Sequence, residues 1–209
     1  MKKNISKFFP WQVLLALIIA SHVLLCLLTI PRLSPTFDEP KHLASGYLIW
    51  TARNYTIDHE NDPLFKMWGT LPLLFIKPAA VLQGKFISPE YDFDYGCKFL
   101  YACGKDPDLI VNSARMMMIP LSALTALLIF FFSRDLYGST RAGLIGALLW
   151  CFLPLAITHA TVFKAEAAFS LFAAASFYFL FKWYKSPDAD AGSKYPQLFF
   201  SENCQLLRC

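Results

Sequence analysis

Charge is scarce in this sequence. Only 16% of its 209 residues are Asp, Glu, Lys or Arg, against about a quarter in ordinary soluble domains. With 56% hydrophobic residues and a mean hydropathy of +0.42, that shortage excludes a conventional soluble domain. No RNA- or DNA-binding motif occurs, and no basic patch is interleaved with aromatics, so nothing points to a nucleic-acid partner. The six cysteines make no disulfide framework. Cys26 and Cys151 sit in apolar runs as small hydrophobes. Cys97 and Cys103 lie in a polar loop and would pair only in an oxidising compartment. His159 with Asp38, Glu39 and Glu166 could form a metal site, but no spacing of His, Cys, Asp or Glu is diagnostic of one, so no cofactor is certain and a divalent metal is an option that nothing indicates. No small-residue cleavage site follows the first apolar run; Pro31-Arg32-Leu33 is a poor one. Internal repeats are lacking too, which argues against a transporter.

What is present is a set of apolar runs near the roughly 20 residues that a bilayer crossing needs. The runs at 11–30, 111–133, 142–158 and 167–181 predict four transmembrane helices, in an all-α polytopic membrane protein. Lys2, Lys3 and Lys7 precede the first run, and Arg134, Arg141, Lys182 and Lys185 flank the later ones on a single side. By the positive-inside rule that side is cytoplasmic. Residues 31–110 then form a long loop on the opposite, outer side. The loop carries ten of the fifteen acidic residues. Within it, Leu43, Tyr47 and Trp50 fall on one helical face, which predicts a helix over 38–53 lying along the membrane surface with aromatic anchors. The apolar segment 63–82 contains Pro72, Lys77 and Pro78 and suits an interfacial or re-entrant piece better than a span. Residues 83–110 read as a solvated loop. The chain thus divides into a membrane region, 1–185, and a polar tail, 186–209, without an organised pattern.

The chemistry-bearing residues gather in the outer loop and its neighbours. Asp38 and Glu39 are adjacent acids at the membrane boundary. Helix capping explains one of them; a second asks for another role. Lys41, His42, Lys66 and Arg115 are cations able to hold a phosphate, although snorkelling to headgroups also explains Arg115. Glu166 starts the last span on the same outer side, where a cavity-facing acid and a helix-start acid are both plausible roles. His159 is its neighbour on that bend. His22, at mid-span, reads as either a packing hydrogen bond or a functional group. A carboxylate beside phosphate-binding cations is what glycosyl transfer from a lipid phosphate needs: the base takes a hydroxyl proton, and the cations stabilise the departing phosphate.

The stretch FDEPKHLASGYLIWTARNYTIDHENDPLFK resembles the first outer loop of the dolichyl-phosphate-mannose protein mannosyltransferase-like family, which includes bacterial lipid A aminoarabinose transferases. The family's E-H-P-P-L-x-K-like segment reads Glu60-Asn61-Asp62-Pro63-Leu64-Phe65-Lys66 here. KDPDLIVNSAR ends at Arg115, and Arg134-Asp135-Leu136-Tyr137-Gly138 is similar to the family's R-x-L-F-G turn. His159 to Glu166 resembles its H-x-x-x-x-x-x-D bend, with Glu in place of Asp. The order and spacing of these motifs carry the resemblance more than any one of them.

The resemblance implies a GT-C-like fold, of which this chain would be the N-terminal part. It implies an inverting glycosyltransferase of the bacterial inner membrane with its site on the non-cytoplasmic side. The donor would be a polyprenyl-phosphate-linked sugar, and the acceptor a hydroxyl on protein, lipid or glycan. Asp38 matches the family's proposed catalytic acid, with Glu39 beside it. The alternative function is a non-catalytic membrane subunit, or degenerate remnant, that binds lipid phosphate. In either case the acids near 38 and at 166 face a common side. Single cysteines placed at positions 38 and 166 are therefore expected to react with an impermeant thiol reagent from one side of the bilayer. Labelling from opposite sides would refute the topology.

Overall fold

The structure is a computed structural model that describes residues 10–79 and 92–185. The basic N-terminus, the tail expected beyond 186 and the segment 80–91 lie outside the described residues. The chain divides into two compact units, Met1–Ala174 and Ala175–Cys209. Among the described residues of the second there is only the C-terminal half of the last helix, closed by Lys182 and Lys185. The protein is an all-α membrane protein; no strand occurs among the described residues.

Helix α1 (Trp11–Thr29) buries Leu15, Ile18, His22 and Cys26 at helical spacing. Leu14, Leu17, Leu24 and Leu28, on its other faces, are exposed. A helix that is apolar all round belongs in lipid. Its polar side chains are satisfied locally: Ser21 and Thr29 donate to the carbonyls of Leu17 and Leu25, each at 2.8 Å. A short 3-10 turn, Ile30–Arg32, ends it. Helices α6 (Pro107–Met116) and α7 (Met118–Tyr137) follow one another as a second apolar stretch, and α10 (Glu166–Lys185) is a third. Trp11–Arg32, Pro107–Tyr137 and Glu166–Lys185 are each long and apolar enough to cross a membrane.

The run expected to be one span over 142–158 is made of two helices. Helix α8 (Thr140–Phe152) and helix α9 (Pro154–Thr161) meet at a bend of 59°. Pro154 has no N–H and cannot continue the α8 hydrogen-bond ladder. The bend is braced by His22, whose Nδ1 donates to the Cys151 carbonyl at 2.9 Å. The Ser122 hydroxyl lies 2.9 Å from His22 Nε2. His22 therefore ties α1, α7 and α8 together, which is the packing reading of that residue.

The shorter helices share one core with the ends of the long ones, through Val111, Ala114, Met118 and Ala167. Helix α2 (Glu39–Ala52), α3 (Pro63–Gly69), α4 (Leu73–Ile76) and α5 (Asp92–Ala102) pack around Leu43, Leu48, Phe65, Leu73 and Phe99. Two expectations are corrected here. Helix α2 does not lie open on the membrane surface: every residue from Glu39 to Ile49 is buried. The supposed loop 83–110 contains the helix α5, whose Tyr95, Phe99 and Leu100 enter the core. Its apolar positions are interleaved with Asp94 and Lys98, so composition hid a helical stripe that needed a partner surface to become visible. In the described part of 63–82, α3 and α4 are each too short to cross a bilayer. Cys97 is exposed and Cys103 buried, and both thiols are free.

Small residues let the neighbours of α2 come close. A Cβ on Gly96 of α5 would stand 2.6 Å from the Lys41 backbone nitrogen, and one on Gly46 would stand 2.6 Å from the Lys66 carbonyl oxygen. Overpacking of this kind costs about 1–3 kcal/mol. Gly96→Val is accordingly expected to lower stability by about that amount and to reduce the midpoint of thermal unfolding in detergent; an unchanged midpoint would show that α5 does not pack on α2 this closely.

Candidate active site

The local chain first sets Asp38 and Glu39 apart. Pro40 occupies the first turn of α2, where its missing N–H costs nothing. Glu39 points into the protein and Asp38 stays at the rim, its side chain about a third exposed. Two adjacent acids thus enter different environments.

Glu39 is fully buried and receives four donors. Arg115 Nε reaches Oε1 at 2.8 Å and Nη2 reaches Oε2 at 2.7 Å. The backbone N–H of Phe163 donates to Oε1 at 2.7 Å, and that of Thr36 to Oε2 at 2.7 Å. Burial works to raise the Glu39 pKa, but the Arg115 hydrogen bonds, the two amides and the Arg115 charge together hold it below the usual carboxylate value. Arg115 spends its remaining N–H groups on the carbonyls of Leu33 and Ser34, each at 2.8 Å, and of Ile30 at 3.4 Å. These two residues were expected to act as a catalytic acid and a phosphate ligand. In the structure they satisfy each other and the backbone: a bidentate buried pair of this kind has no spare donor aimed at a ligand. What the pair does is fix the chain. It joins α2, α6, the turn after α1 and the bend at Phe163.

A second cluster forms around Asp58, a residue the sequence marked only as one acid among many. Asp58 stands in the turn 57–60 between α2 and α3 in a left-handed conformation, φ 53°. Its buried carboxylate receives His42 Nδ1 at 2.6 Å and Asn61 Nδ2 at 2.7 Å. The ammonium groups of Lys41 and Lys66 each lie 3.3 Å from it. Lys66 also donates to the Asp58 carbonyl at 2.6 Å. Burial tends to raise the Asp58 pKa, but the His42 and Asn61 hydrogen bonds and the charges of His42 and Lys66 outweigh it and hold the group well below the ordinary range. The three cations expected to share a phosphate-binding role are therefore together, gathered by an anion. Two lysines and a histidine thus meet one carboxylate, and Glu60 and Glu166 line the cavity beside them. Lys41 also lies 4.7 Å above the Phe93 ring.

The rim closes over a polar cavity of about 280 Å³. Asp38, Lys41, His42, Glu60, Asn61, Lys164, Ala165 and Glu166 line it. Asp38 is met there by Lys164, with Nζ 3.0 Å from Oδ2. Asp38, and to a lesser degree Glu166 and Glu39, raise the Lys164 pKa against a smaller opposing effect of burial. Lys164 and Glu166 come to the cavity because the Phe163 N–H is held by Glu39 and the Phe163 ring packs on Phe65, centroids 5.6 Å apart. Next to the polar cavity, sharing Ala165 and Glu166, is an apolar one of about 600 Å³ walled by Leu64, Phe65, Ala168, Phe169 and Phe172. Glu166 Oε2 is buried and lacks a hydrogen-bond partner. His159 does not reach the polar cavity; it lines a separate recess with Trp150 and Glu166. Among the described residues no group of three or more His, Cys, Asp and Glu is placed to hold a metal ion.

So Asp38, Lys41, His42 and Glu166 converge, Lys66 supports them from beneath, and Glu39 and Arg115 frame them. Asp58 and Lys164 were missed as site residues. No spacing in the sequence announces Asp58, because its partners come from α2 and α3; Lys164 was visible only as a cation on the bend beside Glu166.

Because the Glu39 pKa is lowered by folding, its stabilisation is complete above the unfolded carboxylate value of about 4.3 and is lost as pH falls through the lower folded value. Glu39→Gln is expected to cost about 3–5 kcal/mol near neutrality, the scale for breaking a buried ion pair. The gap from wild type in chemical or thermal unfolding should shrink as the solution is acidified below about pH 4.3. A gap independent of pH would show that the pair is not the brace.

A family model described as dolichyl-phosphate-mannose-protein mannosyltransferase matches residues 73–199, which includes Arg115, His159, Lys164 and Glu166 but not Asp38 to Lys66. No curated protein and no solved structure matches.

Proposed function

Since the chain belongs to the dolichyl-phosphate-mannose-protein mannosyltransferase family, a family of membrane glycosyltransferases, we propose that it transfers a sugar from a polyprenyl-phosphate donor to an acceptor hydroxyl, with inversion, on the non-cytoplasmic side. The observation that carries this reading is the convergence of Asp38, Lys41, His42 and Glu166 on one polar cavity with an apolar cavity against it. A prenyl phosphate is itself a charged head on an apolar chain. The polar cavity suits the sugar and phosphate, and the apolar one suits the first isoprene units.

The chemistry follows from the residues. Asp38 is the proposed base: it is ionisable, part-exposed and at the rim, within reach of an acceptor O–H. As it takes the hydroxyl proton, the acceptor oxygen bonds to the sugar's anomeric carbon from the face opposite the phosphate. The bond between that carbon and the phosphate oxygen breaks, its electron pair leaves with the lipid phosphate, and configuration inverts. Lys41 at the cavity wall stabilises the leaving phosphate. Lys66 and Asp58 hold Lys41 and His42 in place. Glu39 and Arg115 position the bend that carries Glu166. Glu166 stands where the two cavities meet and is placed to receive a sugar hydroxyl on its unpartnered oxygen.

The test is transfer by the reconstituted protein, given a polyprenyl-phosphate sugar and a hydroxyl acceptor. Asp38→Asn should reduce turnover about 10²–10⁴-fold, the usual contribution of a general base, with little change in unfolding temperature. Equal turnover by the two proteins would remove Asp38 from the role. Binding of the lipid phosphate by wild type without any transfer would instead favour a non-catalytic lipid-phosphate-binding subunit.

A further inference from the structure

Lysines and histidine at the cavity wall differ in what holds them. Lys41 and His42 are drawn to Asp58, at 3.3 and 2.6 Å. Both are buried, and Lys41 is further confined by the Phe93 ring. Lys164 is placed differently. Its ammonium lies 3.0 Å from Asp38 Oδ2, and both side chains are about a third exposed. Its backbone is fixed by the Glu39–Phe163 bond on one side, 2.7 Å, and its own N–H donates to the Val162 carbonyl at 3.0 Å. A Lys stem of four carbons on a fixed backbone can swing its head group across a cavity of this size. Here the residue proposed as the base is paired with a cation whose stem is long enough to reach across the cavity.

We propose that Lys164 is a phosphate-binding residue of this site, and that it meets the phosphate by giving up Asp38. The proposal rests on the lipid-phosphate reading above. An ammonium shared between two anions goes to the one with more charge. The donor's phosphate is a diester of charge about −1, the same as a carboxylate; as its bond to the anomeric carbon breaks it becomes a monoester of about −1.5 to −2 near neutral pH. Lys164 therefore moves to the phosphate as that charge develops, and Asp38 Oδ2 is freed as it takes the hydroxyl proton. The exchange couples the two halves of the site: the carboxylate gives up its cation only where the phosphate gains charge.

A double-mutant cycle on binding tests this without relying on turnover. Wild type, Asp38→Ala, Lys164→Met and the double variant are placed in lipid nanodiscs, and each is titrated with inorganic phosphate and, separately, with polyprenyl phosphate. Lys164→Met is expected to weaken binding about tenfold, the loss of one charge-assisted contact. Asp38→Ala is expected to tighten binding a few-fold in the wild-type background, because it releases Lys164, and to tighten it far less when Lys164 is already Met. The same pattern with inorganic phosphate would assign the recognition to the head group alone; the pattern with polyprenyl phosphate only would show that the chain is needed to seat it. Either supports the exchange. Equal tightening by Asp38→Ala in both backgrounds would mean that Asp38 repels phosphate simply by its charge, and would overturn it. So would undiminished binding by Lys164→Met, or the absence of binding by wild type. Wild-type transfer measured in the same discs separates the two ideas. Transfer with an uncoupled cycle overturns the exchange and leaves the transferase reading standing. A coupled cycle without transfer does the reverse.

Discussion

Four N–H donors meet on one buried carboxylate, Glu39, and the arrangement of the whole site follows from that meeting. Two come from Arg115, one from the Thr36 amide and one from the Phe163 amide. Arg115 in turn holds the carbonyls after α1. Segments more than a hundred residues apart in the chain are thus pinned to one point. In a dry interior such a pair does not win stability by its own attraction, because desolvation of both charges offsets most of it. Its effect is geometric. Any other placement of these segments would leave a buried charge unpaired, which costs several kcal/mol.

Function then uses what this brace holds still. The bend 162–165 is set by Phe163, so Lys164 and Glu166 face Asp38 across a cavity instead of lying along a helix surface. On the other wall, Asp58 collects Lys41, His42 and Lys66 by the same logic with the signs reversed: one buried anion, several cations. The two clusters divide the work. One is a closed pair in the interior; the other puts Lys41 and His42 on the wall of the polar cavity. Adjacent residues Asp38 and Glu39 fall on different sides of that division because successive residues at a helix start point about 100° apart.

Much of the fold could be read directly from composition. A shortage of charge and long apolar runs require a helical membrane protein, because only a helix satisfies its own backbone in lipid. In the described part of 63–82, Pro72 and Pro78 flank the short helix α4, a break that local rules favour. Helix α5 and the burial of α2 were not legible. Each has polar residues spaced among its apolar ones, and a mixed pattern means surface or core according to what packs against it. The bend at Pro154 was visible as a proline, but its angle and its His22 brace depend on a residue on α1.

The sequence by itself determined the class of protein, the presence of adjacent acids at a membrane boundary and a supply of cations close to them, since each of these is a matter of residue type and local spacing. It could not decide which acid would be buried and which would face the cavity, nor that Asp58 would gather the cations or that Lys164 would stand opposite Asp38. Those outcomes depend on contacts between residues far apart in the chain, where a charge is neutralised by whatever the fold brings within about 3 Å of it, and no local pattern records that distance.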